Sequence, residues 1–227
     1  MSARLRVKVC CIASVAEARW AVAAGADVLG LVSHMPSGPG VISDDLIADI
    51  VASVPPHIET FLLTSRIDAE AIAAQHAHAH SSALQLVDRV SVDELRRLRK
   101  LCPGVKLVQV IHVTGEASID EAYAAAPWVD ALLLDSGNPQ LAVKELGGTG
   151  RTHDWATSRR IRDAVWPLPL FLAGGLNAGN AAAAIAAVQP YGLDLCSGLR
   201  TDGALDADKL GQFSAALPGV AHTRSGG

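Results

Sequence analysis

Eight short apolar runs, each followed by a longer helix-like stretch, constrain this chain more than any other feature. The runs are Leu5–Cys10, Val28–Val32, Ile58–Leu63, Ala83–Leu86, Lys106–Ile111, Val129–Leu134, Leu168–Ala173 and Leu193–Cys196. They are apolar throughout, the pattern of parallel strands covered on both faces. They recur at roughly twenty to thirty residues, enough for a strand and its crossover helix. Three of the intervening stretches open on a capping-box pattern: Ser14 to Glu17, Ser91 to Glu94 and Ser118 to Glu121. There a Ser oxygen and a Glu carboxylate satisfy amide donors left over at a helix start. Val92, Leu95, Leu98 and Leu101 then give one apolar face to a segment otherwise made of Asp, Glu, Arg and Lys. Eight such units close into a (β/α)8 TIM barrel, an α/β fold, and periodicity alone leaves a doubly wound open sheet as the alternative. No linker divides the chain, so residues 1–219 read as one barrel domain and residues 220–227 as a loose, flexible tail.

Composition removes several function classes. The length of 227 residues suits one α/β barrel, and a 50% hydrophobic content excludes a disordered chain. With 19 Lys+Arg against 23 Asp+Glu the net charge is −4, and no basic stripe offers itself to nucleic acid. No apolar run approaches the ~18–20 residues of a membrane span. The start, MSARLRVKVCC, enters a strand directly without the apolar core of a signal peptide, and four cysteines do not make a disulfide framework. A cytoplasmic protein is the expectation.

In a barrel, chemistry gathers where strands end and the following loops begin. Three glycine clusters fall there: Gly147-Gly148-Thr149-Gly150 after the sixth strand, Ala173-Gly174-Gly175 after the seventh, and Ser197-Gly198 after the eighth. Glycines let backbone amides approach an anion closely, and the last two loops are the usual phosphate site of this architecture. No GxGxxG follows the first strand and no GxxxxGK[ST] occurs, so the phosphate would be a substrate's handle and not a dinucleotide's or a nucleoside triphosphate's.

Cys10 ends the first strand and Asp135 follows the sixth, placing a thiol and a carboxyl at the mouth of one barrel. They read either as base and acid for proton transfer or as a small buried hydrophobe and a turn residue. Cys11 is expected to point away from Cys10 if the strand continues, which leaves a redox pair as the minor reading. His76, His78 and His80 lie near a helix end, and only His76 and His80 have the i, i+4 spacing of metal ligands. A solvated helix end is the better reading, with no metal site. A Schiff-base aldolase would want a lysine inside the barrel, but Lys8 lies nearer a strand's middle and Lys106 at a strand's beginning.

In this order the pieces resemble the phosphoribosylanthranilate isomerase family of tryptophan biosynthesis, from Val7 to about Phe213. Val7-Lys8-Val9-Cys10 resembles the family's Lys-[Ile/Val]-Cys-Gly opening, and Ala24-Gly25-Ala26-Asp27 through Val32 its second segment. Leu132-Leu133-Leu134-Asp135, Gly147-Gly148-Thr149-Gly150 with Asp154-Trp155, Leu172-Ala173-Gly174-Gly175-Leu176-Asn177, and Tyr191-Gly192-Leu193-Asp194 with Ser197-Gly198 follow its later signatures. The resemblance implies a (β/α)8 barrel that performs an Amadori rearrangement, turning an N-linked phosphoribosylamine into a 1-amino-1-deoxyribulose 5-phosphate. It implies Asp135 as general acid, Cys10 as thiolate base and no cofactor. Gly148, Thr149, Gly150, Ala173, Gly174, Gly175, Ser197 and Gly198 would hold the phosphate of a small phosphorylated-sugar substrate.

Three departures stand out. Cys-Gly reads Cys10-Cys11, the family's Gln-Leu-His reads Gln85-Leu86-Val87, and Gly40 aligns with the arginine that binds the anthranilate carboxylate. Arg66 or Arg200 is expected to supply that charge from another wall. The alternatives are a divergent isomerase, epimerase or aldolase on another phosphorylated sugar or aminosugar, and a phosphate-binding pseudoenzyme.

Overall fold

The computed structural model describes residues 4–138, 141, 144, 146 and 150–217. Eight strands form a closed parallel barrel: β1 (Arg6–Val9), β2 (Val28–Val32), β3 (Glu59–Thr64), β4 (Ala83–Leu86), β5 (Lys106–His112), β6 (Ala131–Asp135), β7 (Leu170–Leu172) and β8 (Gly192–Leu195). The helices α1 (Val15–Ala23), α2 (Asp44–Ser53), α3 (Ala69–Ala79), α4 (Val92–Leu101), α5 (Ala117–Ala125), α6 (Trp155–Val165), α7 (Ala181–Val188) and α8 (Ala207–Ala216) alternate with them. Closure by β1 against β8, with Lys8 opposite Asp194, decides the barrel over the open sheet. The proposed tail, residues 220–227, lies outside the described residues.

Successive side chains of a strand point to opposite faces, and the two faces build two cores. Outward Val9, Leu29, Leu62, Leu84, Leu107, Leu132 and Leu193 pack under the helices, while inward Val28, Phe61, Leu63, Val108, Val110, Leu133 and Phe171 fill the barrel. Inside, the Phe61 and Phe171 rings meet edge to face with centroids 5.8 Å apart. The strand bounds follow the sequence to within a few residues. β7 is shorter than expected because Pro167 and Pro169 have no N–H to give the ladder, which begins at Leu170.

Helix starts are as expected at two of the three capping sites. Ser14 Oγ accepts from Glu17 N at 3.1 Å and Ser91 Oγ accepts from Glu94 N at 3.3 Å. Ser118 is not a cap: α5 starts at Ala117, and the Ser118 hydroxyl donates to His112 O at 3.1 Å and accepts from Thr114 N at 3.0 Å. It ties the loop after β5 instead. On α4 Leu95 and Leu98 are buried but Leu101 is exposed, because steps of three residues drift by about 60° each around a helix of 3.6 residues per turn. The histidines close α3: His76 Nε2 meets Ser81 O, His78 Nε2 meets Asp45 Oδ1, each at 2.8 Å, and His80 is the left-handed C-cap.

Candidate active site

A cleft of about 590 Å³ opens at the C-terminal ends of the strands, lined by Cys10, Gln85, Asp135, Asp194, Cys196 and the glycine loops, among others. Both candidate proton-transfer groups are therefore on its walls. Lys8 and Cys10 share the inward face of β1 at the i, i+2 spacing of a strand. Lys8 is fully buried, and its Nζ donates to Asp194 Oδ1 at 2.8 Å. Burial works against its ammonium, but Asp194 and Cys10 more than offset this and raise its pKa. A lysine so held is not a free amine, which removes the Schiff-base aldolase reading. Lys106 sits at the opposite end of the barrel, with Nζ 3.0 Å from Glu59 Oε2. Gly30 of β2 makes room for the pair: a Cβ there would stand 2.7 Å from Cys10 Sγ and 2.9 Å from Lys8 Nζ.

The electrostatics separate the two candidate groups. The neighbouring Cys11 thiol favours the Cys10 thiolate; burial opposes it, and the Lys8 ammonium adds to it, so Cys10 falls below the ordinary thiol value. Asp135 moves the other way. Its burial holds the carboxyl above the ordinary aspartate value, although Ser136 N donates to Oδ1 at 2.7 Å and His112 stands nearby. A thiol eased toward its anion and a carboxyl held toward its acid thus share one cleft.

The chain turns sharply beyond Cys10. Cys11 has φ 62°, so the strand geometry on which the sequence expectation of diverging thiols depends does not continue. Cys11 Sγ lies 2.7 Å from Cys196 Sγ and 3.6 Å from Pro39 O.

The glycine loops converge on one another. Gly150, Gly174 and Gly175 all have positive φ, and a Cβ on Gly175 would meet Gly150 O at 2.8 Å. A Cβ on Gly198 would come within 2.1 Å of Leu176 O. The N–H groups of Gly174 and Gly175 find no acceptor among the described residues. Ala173 and Ser197 complete this wall of the cleft, whereas Gly147, Gly148 and Thr149 lie outside the described residues.

The family model for N-(5'-phosphoribosyl)anthranilate (PRA) isomerase matches residues 7–216, which takes in all eight strands and both candidate groups. The chain belongs to this isomerase family. It is 37% identical over 211 residues to N-(5'-phosphoribosyl)anthranilate isomerase 2 of Methanosarcina mazei, covering 92% of each chain. It is 38% identical over 208 residues to the isomerase of Desulforudis audaxviator, covering 91% of this chain and 95% of that one. Among solved structures, the phosphoribosyl anthranilate isomerase of Thermotoga maritima superposes with a TM-score of 0.81 at 27% identity, over 95% of this chain and 99% of the other. Another such isomerase, solved with reduced 1-(o-carboxyphenylamino)-1-deoxyribulose 5-phosphate, has a TM-score of 0.78 at 25% identity over 95% of this chain and 99% of that one.

Against that family the arginine departures take a definite form. Arg200 is not a cleft residue, contrary to expectation. Its Nη2 lies 3.1 Å from Glu17 Oε2 and donates to the Cys10 carbonyl at 3.3 Å and to the Cys11 carbonyl, while Nη1 donates to Gly203 O at 2.7 Å. It braces the turn below the cleft. Arg66 stands exposed two residues past β3, outside the cleft lining, and its side chain meets no described partner. Gly40 has φ 78°, and a Cβ there would stand 2.5 Å from Cys11 Cβ, so the loop after β2 offers the cleft no guanidinium.

Sequence reasoning missed four further residues. Lys8 reads from sequence as a motif residue and a poor Schiff-base candidate, with its i, i+2 relation to Cys10 the available signal. Asp194 reads only as part of a motif, because its partner is 186 residues away. Gln85 is 3% exposed, lines the cleft and has an Oε1 with no protein partner. Cys196 gave no signal of its pairing.

Proposed function

We propose that the protein is an aldose–ketose isomerase that converts N-(5'-phosphoribosyl)anthranilate to the corresponding 1-amino-1-deoxyribulose 5-phosphate in tryptophan biosynthesis. The observation that carries this reading is the placing of Cys10 and Asp135 on one cleft whose far wall is the converging glycine loops. The phosphate seats on the loops around Gly150, Gly174, Gly175 and Gly198, where the Gly174 and Gly175 amides, without acceptors among the described residues, face an anion. Asp135, whose burial favours its acid form, gives its proton to the ribose ring oxygen. The C1–O bond then breaks, leaving a protonated Schiff base between C1 and the anthranilate nitrogen. Cys10, as thiolate beside Lys8, takes the proton from C2. The resulting enolamine tautomerises to the aminoketose, with no metal or organic cofactor in any step. Gln85, with its orphan amide oxygen, accepts from a sugar hydroxyl.

With Arg200 engaged below the cleft, we assign the anthranilate carboxylate to Arg66. Four free cysteines suit a reducing cytoplasm, and among the described residues no helix is long and apolar enough to cross a membrane. The test is turnover of freshly generated phosphoribosylanthranilate, followed as loss of its fluorescence. The reading expects rapid turnover, with Arg66→Ala raising KM roughly tenfold at nearly unchanged kcat, the loss of one charge-assisted contact. Folded protein that binds a ribulose-phosphate analogue but leaves this substrate untouched points to an aminosugar without the carboxylate.

A further inference from the structure

We propose that Cys11 and Cys196 form an oxidisable dithiol site in the wall of the cleft, which takes a low-molecular-weight disulfide as co-reactant and, once bridged, disables the base at Cys10. The inference rests on the reading of Cys10 given above for its consequence, but not for the bridge itself.

Four observations support it. The two sulfurs lie 2.7 Å apart, closer than non-bonded sulfurs usually stand, and both cysteines are free. They follow β1 and β8, which pair directly as Val9 opposite Leu195. That register sets Cys196 level with Cys10, and the turn at Cys11 carries its sulfur to Cys196. Cys11 holds φ 62°, a left-handed conformation that disfavours a residue with a Cβ. The strain is kept in place: Arg200 donates to the Cys10 and Cys11 carbonyls, and Gly40 leaves vacant the space its own Cβ would share with Cys11. Lastly, Cys196 is half-buried on the cleft, so a small molecule reaches one sulfur of the pair while Cys11 is buried.

The chemistry balances as two thiol–disulfide exchanges. The Cys196 thiolate attacks one sulfur of the small disulfide and expels one small thiol, leaving a mixed disulfide. Cys11 loses its proton and attacks the Cys196 sulfur, expelling the second thiol. Two protein thiols are oxidised and one small disulfide is reduced. Burial and its hydrogen bonds raise the Cys11 thiol well above the usual range, so its attack is the slow step. Bridging consumes the S–H of Cys11, the residue next to Cys10 on the same cleft wall, and with it that thiol's help to the Cys10 thiolate. The remaining charged neighbours of Cys10 are Lys8 on its own strand, Asp194 from β8 and Asp135 from β6.

The experiment exposes reduced full-length protein to oxidised glutathione, then alkylates it with iodoacetamide and maps the cysteines by peptide mass. Cys11 and Cys196 are expected to be joined and unalkylated. The alkylation rate of Cys10 and isomerase turnover should each fall about tenfold and return on reduction. In Cys196→Ser and Cys11→Gly, the oxidised-to-reduced ratio of both rates should stay near one; glycine suits the left-handed turn, so the second variant guards against misfolding. Full alkylation of Cys11 and Cys196 after oxidation, a bridge that includes Cys10, or a bridge that leaves the Cys10 alkylation rate unchanged each overturns the proposal. Absence of turnover in the reduced protein counts against the isomerase reading alone, because the bridge and Cys10 alkylation are read without substrate.

Discussion

Cys10 owes its reactivity to neighbours that its own residue type does not supply. Lys8 lies behind it on the same strand face, fully buried and paired to Asp194 at 2.8 Å. The ammonium favours the thiolate and the carboxylate opposes it, so the two members of the pair act on Cys10 with opposite sign. Lys8→Met should therefore move the pH midpoint of Cys10 alkylation up, and Asp194→Asn should move it down. Peptide-resolved iodoacetamide kinetics measure both, and identical midpoints in both variants would show that the pair does not tune the thiol. The same residues explain a glycine inside β2. Any Cβ at Gly30 would press on Cys10 Sγ and Lys8 Nζ, so that strand position is given to the site and not to the core.

At the scale of elements, the cleft floor is tied by one buried ion pair that joins α1 to the segment after β8. Glu17 accepts from Ala13 N and Leu205 N, each at 2.9 Å, while Arg200 reaches from Glu17 to the carbonyls of the Cys10-Cys11 turn. Burial raises the Glu17 pKa, but the hydrogen bonds from Arg200, Leu205 and Ala13 outweigh it and leave the carboxyl below its free value of 4.5. A depressed carboxylate contributes stability that is whole above the free value and is lost as pH falls through the folded one. Glu17→Gln should cost about 3 kcal/mol at neutral pH by leaving the buried Arg200 without its counter-charge, with a smaller cost in acid. Urea melts at both pH values check this, and equal losses would place the effect in packing. The elements themselves were legible in the sequence, because buried parallel strands are apolar runs and Ser-to-Glu caps mark helix starts. Ser118 misled because a Ser inside a first turn can serve the preceding loop as well as a cap does. The turn at Cys11 and the Lys8–Asp194 pair were not legible. The first depends on how β1 leaves the barrel, and the second joins residues that meet only when β8 closes on β1.

Over the whole molecule, closure brings the last three loops together beside the first strand, and that convergence makes the cleft. Its roles were half-legible: Cys10, Asp135, Gly150, Gly174, Gly175 and Gly198 stand where strand ends predict, but Arg200 turned inward because a guanidinium at that depth finds carbonyls and Glu17 before it finds solvent. His153 reports on the assembled state. It packs against Gly174, and burial pushes its pKa down to about 4 from 6.5. Below pH 6.5 the unfolded chain binds a proton that the folded chain refuses, so stability should fall as pH drops from 6.5 toward 4. In His153→Gln that part of the slope should vanish from a series of denaturant melts, and an unchanged slope would assign it to other groups. The central claim is that Cys10 and Asp135 do chemistry in a cleft that binds without them. The direct measurement sets turnover of phosphoribosylanthranilate beside the Kd of a reduced ribulose-phosphate analogue in wild type, Cys10→Ala and Asp135→Asn. The account expects kcat to fall by at least about 10²–10⁴-fold in each variant while Kd changes by less than about tenfold. Turnover that survives both substitutions, or a Kd that collapses in step with kcat, contradicts it.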